Sequence, residues 1–271
     1  MTGWTVRWWP MLFFLAGALW GCTPKLEPLS PIAGSQLDRA QVLLHYFLNQ
    51  QRETALDADV RLHWDMPGRK GGLDGILQLQ APGNIRLTVL DPLGRQEFIL
   101  VIDTNHFTMV DNRQGKGYVG EMDTEKRYEY LPAILKGDEL FALLGGFLPS
   151  GSCTLNSVES IGKTREKQDT WYQFNRIDRT GTVRFTLEDS GSMMKRCLFV
   201  DGHNETPVTV RYEGVAPSEN GEVLWPKKVT ISGSSLHGEY QLSIVKILSL
   251  KPLPSSAFSL KIPPGYTVTR Y

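Results

Sequence analysis

The sequence predicts a mainly β chain of α+β class, and three observations predict it. Apolar residues alternate with period two along most of the chain, as they do where a strand buries one face. The alternating stretches are short, and the 26 Gly and 16 Pro are spread between them rather than clustered, which suits strands joined by turns. Two stretches alone carry helical spacing. With 271 residues, 41% apolar and 21% charged, the chain is long enough for one good core. Lys plus Arg equals Asp plus Glu at 29 each, so no field of one sign exists to hold a polyanion, and nucleic acid is not expected as a partner.

Arg7 is the sole charged residue before Lys25, and Met11 to Trp20 (MLFFLAGALW) is an apolar run that stops at Gly21-Cys22. A bilayer span takes about twenty apolar residues, so residues 1–21 read as a signal peptide. Leu19-Trp20-Gly21-Cys22 resembles the bacterial lipoprotein cleavage box. That resemblance implies that Cys22 becomes a diacylated N-terminus and anchors the protein to a membrane; an ordinary secretory signal with a coincidental Cys is the alternative. Removing 21 of the 271 residues leaves 250, and without Arg7 the balance is 28 basic against 29 acidic, a formal charge of −1. Thr23 stands where lipoproteins retained in the inner membrane carry Asp, which favours the outer membrane. Residues 22–34 form the lipidated Cys and an extended tether, since Pro24, Pro28 and Pro31 each forbid a helix.

With Cys22 acylated, Cys153 and Cys197 remain in an oxidising compartment, where a pair is a disulfide candidate. Closing a loop of about 45 residues would contribute around 3 to 4 kcal/mol. Two buried thiols acting as small hydrophobes are the competing reading.

The single domain, residues 35–271, opens with a helix. Ser35 offers an N-cap with Asp38 three residues on, and Leu37, Ala40, Leu44, Phe47 and Leu48 recur at helical spacing through about Arg52. Its apolar stripe packs on the core or faces a lipid. From Ala58 the period is two: Val60, Leu62, Trp64 and Met66 alternate with Arg61, His63 and Asp65 until Pro67 to Gly72 turns the chain. Strands follow at Leu73–Gln80, Asn84–Leu90, Glu97–Asp103 and His106–Asp111. Their tight connections make an antiparallel meander, because parallel neighbours need crossovers of a dozen or more residues. Such a sheet curls or closes.

A second helical stretch starts near Asp138 and carries Leu140, Phe141, Leu143, Leu144, Phe147 and Leu148 before Pro149. Apolar nearly all round, it must be covered on most sides or cover something apolar. Strands are expected again at Cys153–Ile161, Trp171–Ile177, Thr182–Leu187, Lys195–Val200, Thr206–Tyr212, Trp225–Ser232 and Glu239–Leu250, with a terminal strand at Phe258–Ile262.

The patterns that announce catalysis are missing. His45, His63, His106, His203 and His237 are scattered singly, with no zinc spacing, so no metal or other cofactor is expected. No Gly-x-Ser-x-Gly elbow supplies a nucleophile. Gly162-Lys163-Thr164 ends like a phosphate loop, but the first Gly of that motif would fall at Ser157. The acidic pairs Asp57/Asp59, Glu121/Asp123 and Glu188/Asp189 lie near expected strand ends, where solvated turns are the default. No catalytic residue is assigned, and the chain reads as a binding protein.

The stretch Asn84 to Leu100 (NIRLTVLDPLGRQEFIL) resembles the signature of the outer-membrane lipoprotein receptor family LolB, in which a strand runs into Asn/Asp-Pro-Leu-Gly and a following strand. Asp111 to Tyr118 (DNRQGKGY) and Leu144 to Pro149 (LGGFLP) recur there in the same order, after the same Cys and opening helix. Phe258 to Gly265 (FSLKIPPG) is similar to the ending of the related periplasmic carriers, the LolA-like proteins. Between about Cys153 and Leu250 the likeness is one of strand pattern alone.

The resemblance implies a half-open antiparallel β-barrel with helices lidding an apolar concave face that receives palmitate-type acyl chains of lipoproteins or another lipid. Inward candidates are Val60, Leu62, Trp64, Leu77, Leu79, Leu87, Val89, Phe98, Leu100, Ile102, Phe107 and Met109. It also implies that the apolar residue of the turn Pro92-Leu93-Gly94 protrudes and helps deliver cargo into the membrane; a Leu tucked over the sheet end is the alternative. The expected protein is a monomer, lipid-anchored to the outer membrane and facing the periplasm, that takes lipoproteins from a periplasmic carrier and inserts them as a chaperone of lipoprotein localisation. The second reading is a structural or accessory envelope lipoprotein with the same barrel that binds a protein partner and transfers nothing.

Overall fold

The computed structural model describes residues 30–50, 54–103, 105–122, 137–148, 158–166, 169–178, 181–187, 193–201, 208–216, 225–233, 236 and 238–271. The expectations for the signal peptide, Cys22, Asp123, Cys153, Glu188, Asp189, His203 and His237 lie outside them. The first half holds β1 (Ser30–Pro31), α1 (Ser35–Asn49), β2 (Ala55–Met66), β3 (Arg69–Gln80), β4 (Asn84–Leu90), β5 (Gln96–Ile102), β6 (His106–Asp111) and β7 (Lys116–Glu121). After α2 (Gly137–Gly145) come β8 (Val158–Glu166), β9 (Asp169–Asp178), β10 (Gly181–Leu187), β11 (Met194–Asp201), β12 (Val208–Val215), β13 (Pro226–Gly233), β14 (Gly238–Ser249) and β15 (Thr267–Arg270).

All of these strands join one 15-stranded sheet, in the order β1-β8-β9-β10-β11-β12-β13-β14-β2-β3-β4-β5-β6-β7-β15. The terminal strands β1 and β15 are not neighbours, so the sheet is a half-open barrel, mainly β and antiparallel. The exception is β15, which runs parallel to β7 and pairs Thr269 with Tyr118. β1, the end of the Pro-rich segment, sets Ser30 opposite Lys163 at the other edge.

Residue alternation produces the two faces. Val60 stands opposite Ile244 on one side and Gly75 on the other, while Leu77 stands opposite Leu87, and Leu87 opposite Leu100. These side chains share the concave face, where α1 and α2 lay Ala40, Leu44, Phe47, Phe141 and Leu143 against Leu56, Leu79, Phe174, Phe185 and Val210. The apolar helix α2 is covered on most sides, with Phe141, Ala142 and Leu143 all buried.

Several local expectations are corrected. Ser35 is the first helical residue rather than the cap: Gly34, at φ 58°, takes the boundary, and its carbonyl accepts from Leu37 N–H at 2.9 Å. A side chain there would be strained. α1 ends at Asn49, short of Arg52. The turn after β2 is Pro67-Gly68 alone, and the strand resumes at Arg69 although Gly71 and Gly72 follow. Pairing with β2, Gly71 to Trp64 and Gly72 to His63, outweighs the weak strand propensity of glycine there. The strand β7, within the glycine-rich stretch after Asp111, was not expected at all. α2 stops at Gly145, where Phe147 N–H turns back to Ala142 O at 3.0 Å, so Phe147 and Leu148 lie beyond the helix. Trp225 precedes β13 rather than opening it.

The carboxyl-terminal correction is larger. Phe258–Ile262 is not a strand; Ser255–Phe258 is a 3-10 turn, and the terminal strand is Thr267–Arg270. The segment before it crosses the convex face of the first half of the sheet. Ala257 O accepts from Arg86 Nη1 at 2.9 Å, Leu253 N–H donates to Gln80 Oε1 at 2.7 Å, and Ile262 fills the space over Gly117. Pro263 and Pro264 carry no N–H, so this stretch makes a poor ladder strand and serves as a strap instead. Beneath it Thr88, Ile99, Val101 and Val110 are buried on the face opposite the helices.

Candidate functional site

The twelve apolar residues expected inward do share one face. In register across β4, β5 and β6, Val89 stands opposite Phe98, Leu87 opposite Leu100, Ile102 opposite Phe107, and Leu100 opposite Met109. Their surroundings divide them. Val60, Leu77, Leu79 and Ile102 are at most 2% exposed and belong to the core under the helices, and Leu87, Leu100 and Phe107 are half-buried against it. Leu62, Trp64, Phe98 and Met109 are half-buried further along, outside that cluster, and Val89 beside them is buried. Register explains the division. β2 runs from its covered end at Leu56 to Trp64, and β4 from Ile85 to Val89, so this second group lies toward the turns after β2 and β4. The concave face thus has a filled end and an open end.

At the filled end polar groups are few. Tyr212, 2% exposed, donates its hydroxyl hydrogen to Leu143 O at 2.9 Å and so ties α2 to β12. Burial pushes its phenol well above the ordinary value, with the Cys197 thiol adding to the shift. Trp225 packs edge-on against Phe141 at 6.3 Å and Phe147 at 6.4 Å. Cys197 is buried on the concave face opposite Phe185 and Val210. Its pairing with Cys153 involves a position outside the described residues.

At the open end stands the turn Pro92-Leu93-Gly94. Leu93 is 77% exposed, the most exposed large apolar side chain described. Its position is built rather than loose. Asp91 Oδ1 accepts from the Leu93 and Arg95 N–H groups at 2.9 Å each, and Asp91 Oδ2 accepts from Arg95 Nε at 2.7 Å. Gly94, at φ 77°, returns its N–H to Asp91 O at 2.8 Å, a conformation that favours glycine. The hydrogen bonds from the Arg95 backbone and side chain, together with that from Leu93, hold the Asp91 carboxyl below the ordinary carboxylate range.

The remaining motifs are absorbed by the sheet. Gly162-Lys163-Thr164 lies inside β8. Asp57 and Asp59 lie in the first half of β2, Asp57 two residues from its start, and stand opposite Gln78 and Ile76 on β3 rather than in a turn. Among the described residues no three His, Cys, Asp or Glu side chains gather into a metal-binding group. The residues that sequence reasoning missed are Ile99, Val101 and Val110. The unbroken apolar run Phe98 to Ile102 is the signal for Ile99 and Val101, since a strand buried on both faces does not alternate, and the adjacent apolar pair Met109-Val110 is the signal for Val110.

Fold and site together define a class: an open antiparallel barrel whose concave apolar face is packed by two helices and whose open end carries a projecting apolar turn. Solved structures share the fold. A LolA superfamily protein from Nitrosomonas europaea is similar over 82% of this chain and 97% of its own, at TM-score 0.53 and 12% identity. A protein from Vibrio parahaemolyticus described as an outer membrane lipoprotein-sorting domain matches over 82% of this chain and 95% of its own, at TM-score 0.52 and 10% identity. A DUF1329 family protein from Desulfovibrio piger matches over 82% and 96%, at TM-score 0.55 and 6% identity. At these identities the likeness is one of fold. No family model and no curated protein sequence matches the chain.

Proposed function

We propose that this protein is a lipid-anchored envelope lipoprotein that holds acyl chains of lipoproteins on its concave face and hands them to the outer membrane. One observation carries the reading: an exposed leucine, held on a hydrogen-bonded turn, stands at the same end of the barrel as half-buried concave apolar side chains. The fold shared with lipoprotein-sorting proteins supports it. Cys22 supplies the anchor, since two or more acyl chains hold where one does not. The receiving role, after a periplasmic carrier, rests on the motif Asp91-Pro92-Leu93-Gly94.

No catalytic group is needed. Acyl chains move toward larger apolar affinity, from carrier to receptor to bilayer, and Leu93 entering lipid gains about 1.5 to 3 kcal/mol.

The close filling of the covered end, where Leu44 is 0% and Phe47 2% exposed, favours a second reading in which the barrel is an accessory lipoprotein that binds a protein partner. A photocrosslinking residue at Leu62 or at Leu100 separates the two. Adducts with the acyl chains of a lipoprotein are expected at both positions. Adducts with protein alone would replace the first reading by the second.

A further inference from the structure

We propose that the rim around Leu93 is a docking surface for anionic phospholipid headgroups, so that the protein recognises bilayer charge before the leucine enters the lipid. The inference rests on the membrane-delivery reading of Leu93 and names the lipid class it meets.

Three alternate hairpins of the meander turn at this end of the sheet. The β2–β3 turn is followed at once by Arg69 and Lys70, the β4–β5 turn holds Leu93 and Arg95, and the β6–β7 turn holds Arg113 and leads into Lys116. The last two turns are stitched together, since Asn112 donates its backbone N–H to Glu97 O at 2.9 Å and its side-chain Nδ2 to Gln96 O at 2.7 Å. All five cations are exposed.

The acidic residues of the rim are nearly as numerous; Asp74, opposite Leu90, is as exposed as its partner Arg61, and the acids nearer the turns sit deeper than their cations. Arg95 is 75% exposed over an Asp91 side chain 17% exposed, and Arg113 is 75% exposed over a Glu97 side chain 14% exposed. Lys70, 72% exposed, covers Asp65 at 45%. Asp111 accepts from Gln114 N–H at 3.0 Å, and Glu239 lies on β14, on the far side of β2 from Leu93. In the Arg95 and Arg113 pairs the carboxylate faces the protein and the cation faces out, and in the Lys70 pair the cation is the more exposed partner. Arg69 has no ion pair among the described residues.

This depth ordering gives a neutral chain a cationic outer layer at one end. An apolar side chain with exposed cations on its own turn, on the turn stitched to it and farther along the same end of the sheet is what an interface of acyl chains under phosphate groups accommodates. An uncharged apolar partner would leave Arg69 and Lys116, which have no ion pair among the described residues, without counter-charges.

The test is vesicle binding by the full chain carrying Cys22→Ser, which removes any acyl anchor and leaves the amino-terminal segment common to every variant. Binding to phosphatidylcholine vesicles is compared with binding to vesicles containing phosphatidylglycerol, at low and high salt. The expected result is a salt-sensitive preference for phosphatidylglycerol that falls roughly fivefold for Arg69→Ser and on the order of a hundredfold when Arg69, Arg113 and Lys116 are all Ser. Leu93→Gln is expected to lower binding to both vesicles alike while the preference survives. If phosphatidylglycerol content makes no difference, or the triple variant keeps the preference, the inference is overturned. Leu93→Gln binding both vesicles as well as the parent protein would instead remove the delivery reading and leave the charge recognition standing.

Discussion

The two ends of the barrel are built from the same alternating pattern and do different work. At the covered end, inward residues of both sheet halves meet two helices: Phe174 stacks on Phe185 at 5.2 Å, and both are 0% exposed. At the open end the same faces of β2, β5 and β6 present Leu62, Trp64, Phe98 and Met109, half-buried, beside a fully projecting Leu93. Which end a residue serves is decided by whether a helix reaches it. The first end holds the fold together, and the second leaves apolar side chains half-exposed.

Core truncation tests this division with the largest effect. Phe174→Ala should cost about 3 to 5 kcal/mol of unfolding free energy in a denaturant titration. The equivalent change at Phe98 should cost less than half of that, because its ring already meets solvent. Equal losses would mean that the open end is as much a part of the core as the covered end.

A smaller effect is expected at the tie between α2 and the sheet. Tyr212→Phe keeps the ring and leaves Leu143 O with the longer bond from Gly146 N–H at 3.2 Å, so the change should cost about 0.5 to 1.5 kcal/mol. Because the folded phenol is held well above its ordinary value, its contribution is complete below about pH 10 and is lost as pH rises from there toward the folded value. The wild type should therefore lose stability in alkali more steeply than Tyr212→Phe, measured as melting temperature against pH. Parallel profiles would remove Tyr212 from that role.

The smallest effect belongs to the turn. The Asp91 carboxyl is held low, so its support for the turn is complete above the ordinary carboxylate value, about pH 3.9, and is lost as pH falls through the depressed folded value. Amide exchange at Leu93 and Arg95, whose N–H groups Asp91 binds, should quicken on Asp91→Ala with global stability nearly unchanged. Unchanged exchange would show that Gly94 alone shapes the turn.

Much of this architecture was legible, for a physical reason. Period-two alternation survives in Val60, Leu62 and Trp64 because solvent lies on the other side of that part of β2, and the turn signals around Asp91-Pro92-Leu93-Gly94 are local. What stayed hidden depended on distant segments. β7 is one-third glycine and owes its strand to its neighbours β6 and β15. The strap after Leu250 crosses the convex face by contacts such as Arg86 with Ala257, across 171 positions of sequence, which no local pattern records. The twelve inward candidates were readable as one face, but not their division into filled and open ends, because α1 and α2 decide that by where they land.

The central claim is that holding and delivering are separate acts at separate places, the concave face and Leu93. Leu93→Glu tests it most directly when acyl-chain binding and insertion into liposomes are measured on the same protein. Binding within about twofold of wild type with insertion lost is the predicted result, since a change at so exposed a side chain should shift stability by no more than about 0.5 kcal/mol. Insertion at the wild-type rate, or binding lost together with insertion, would contradict it.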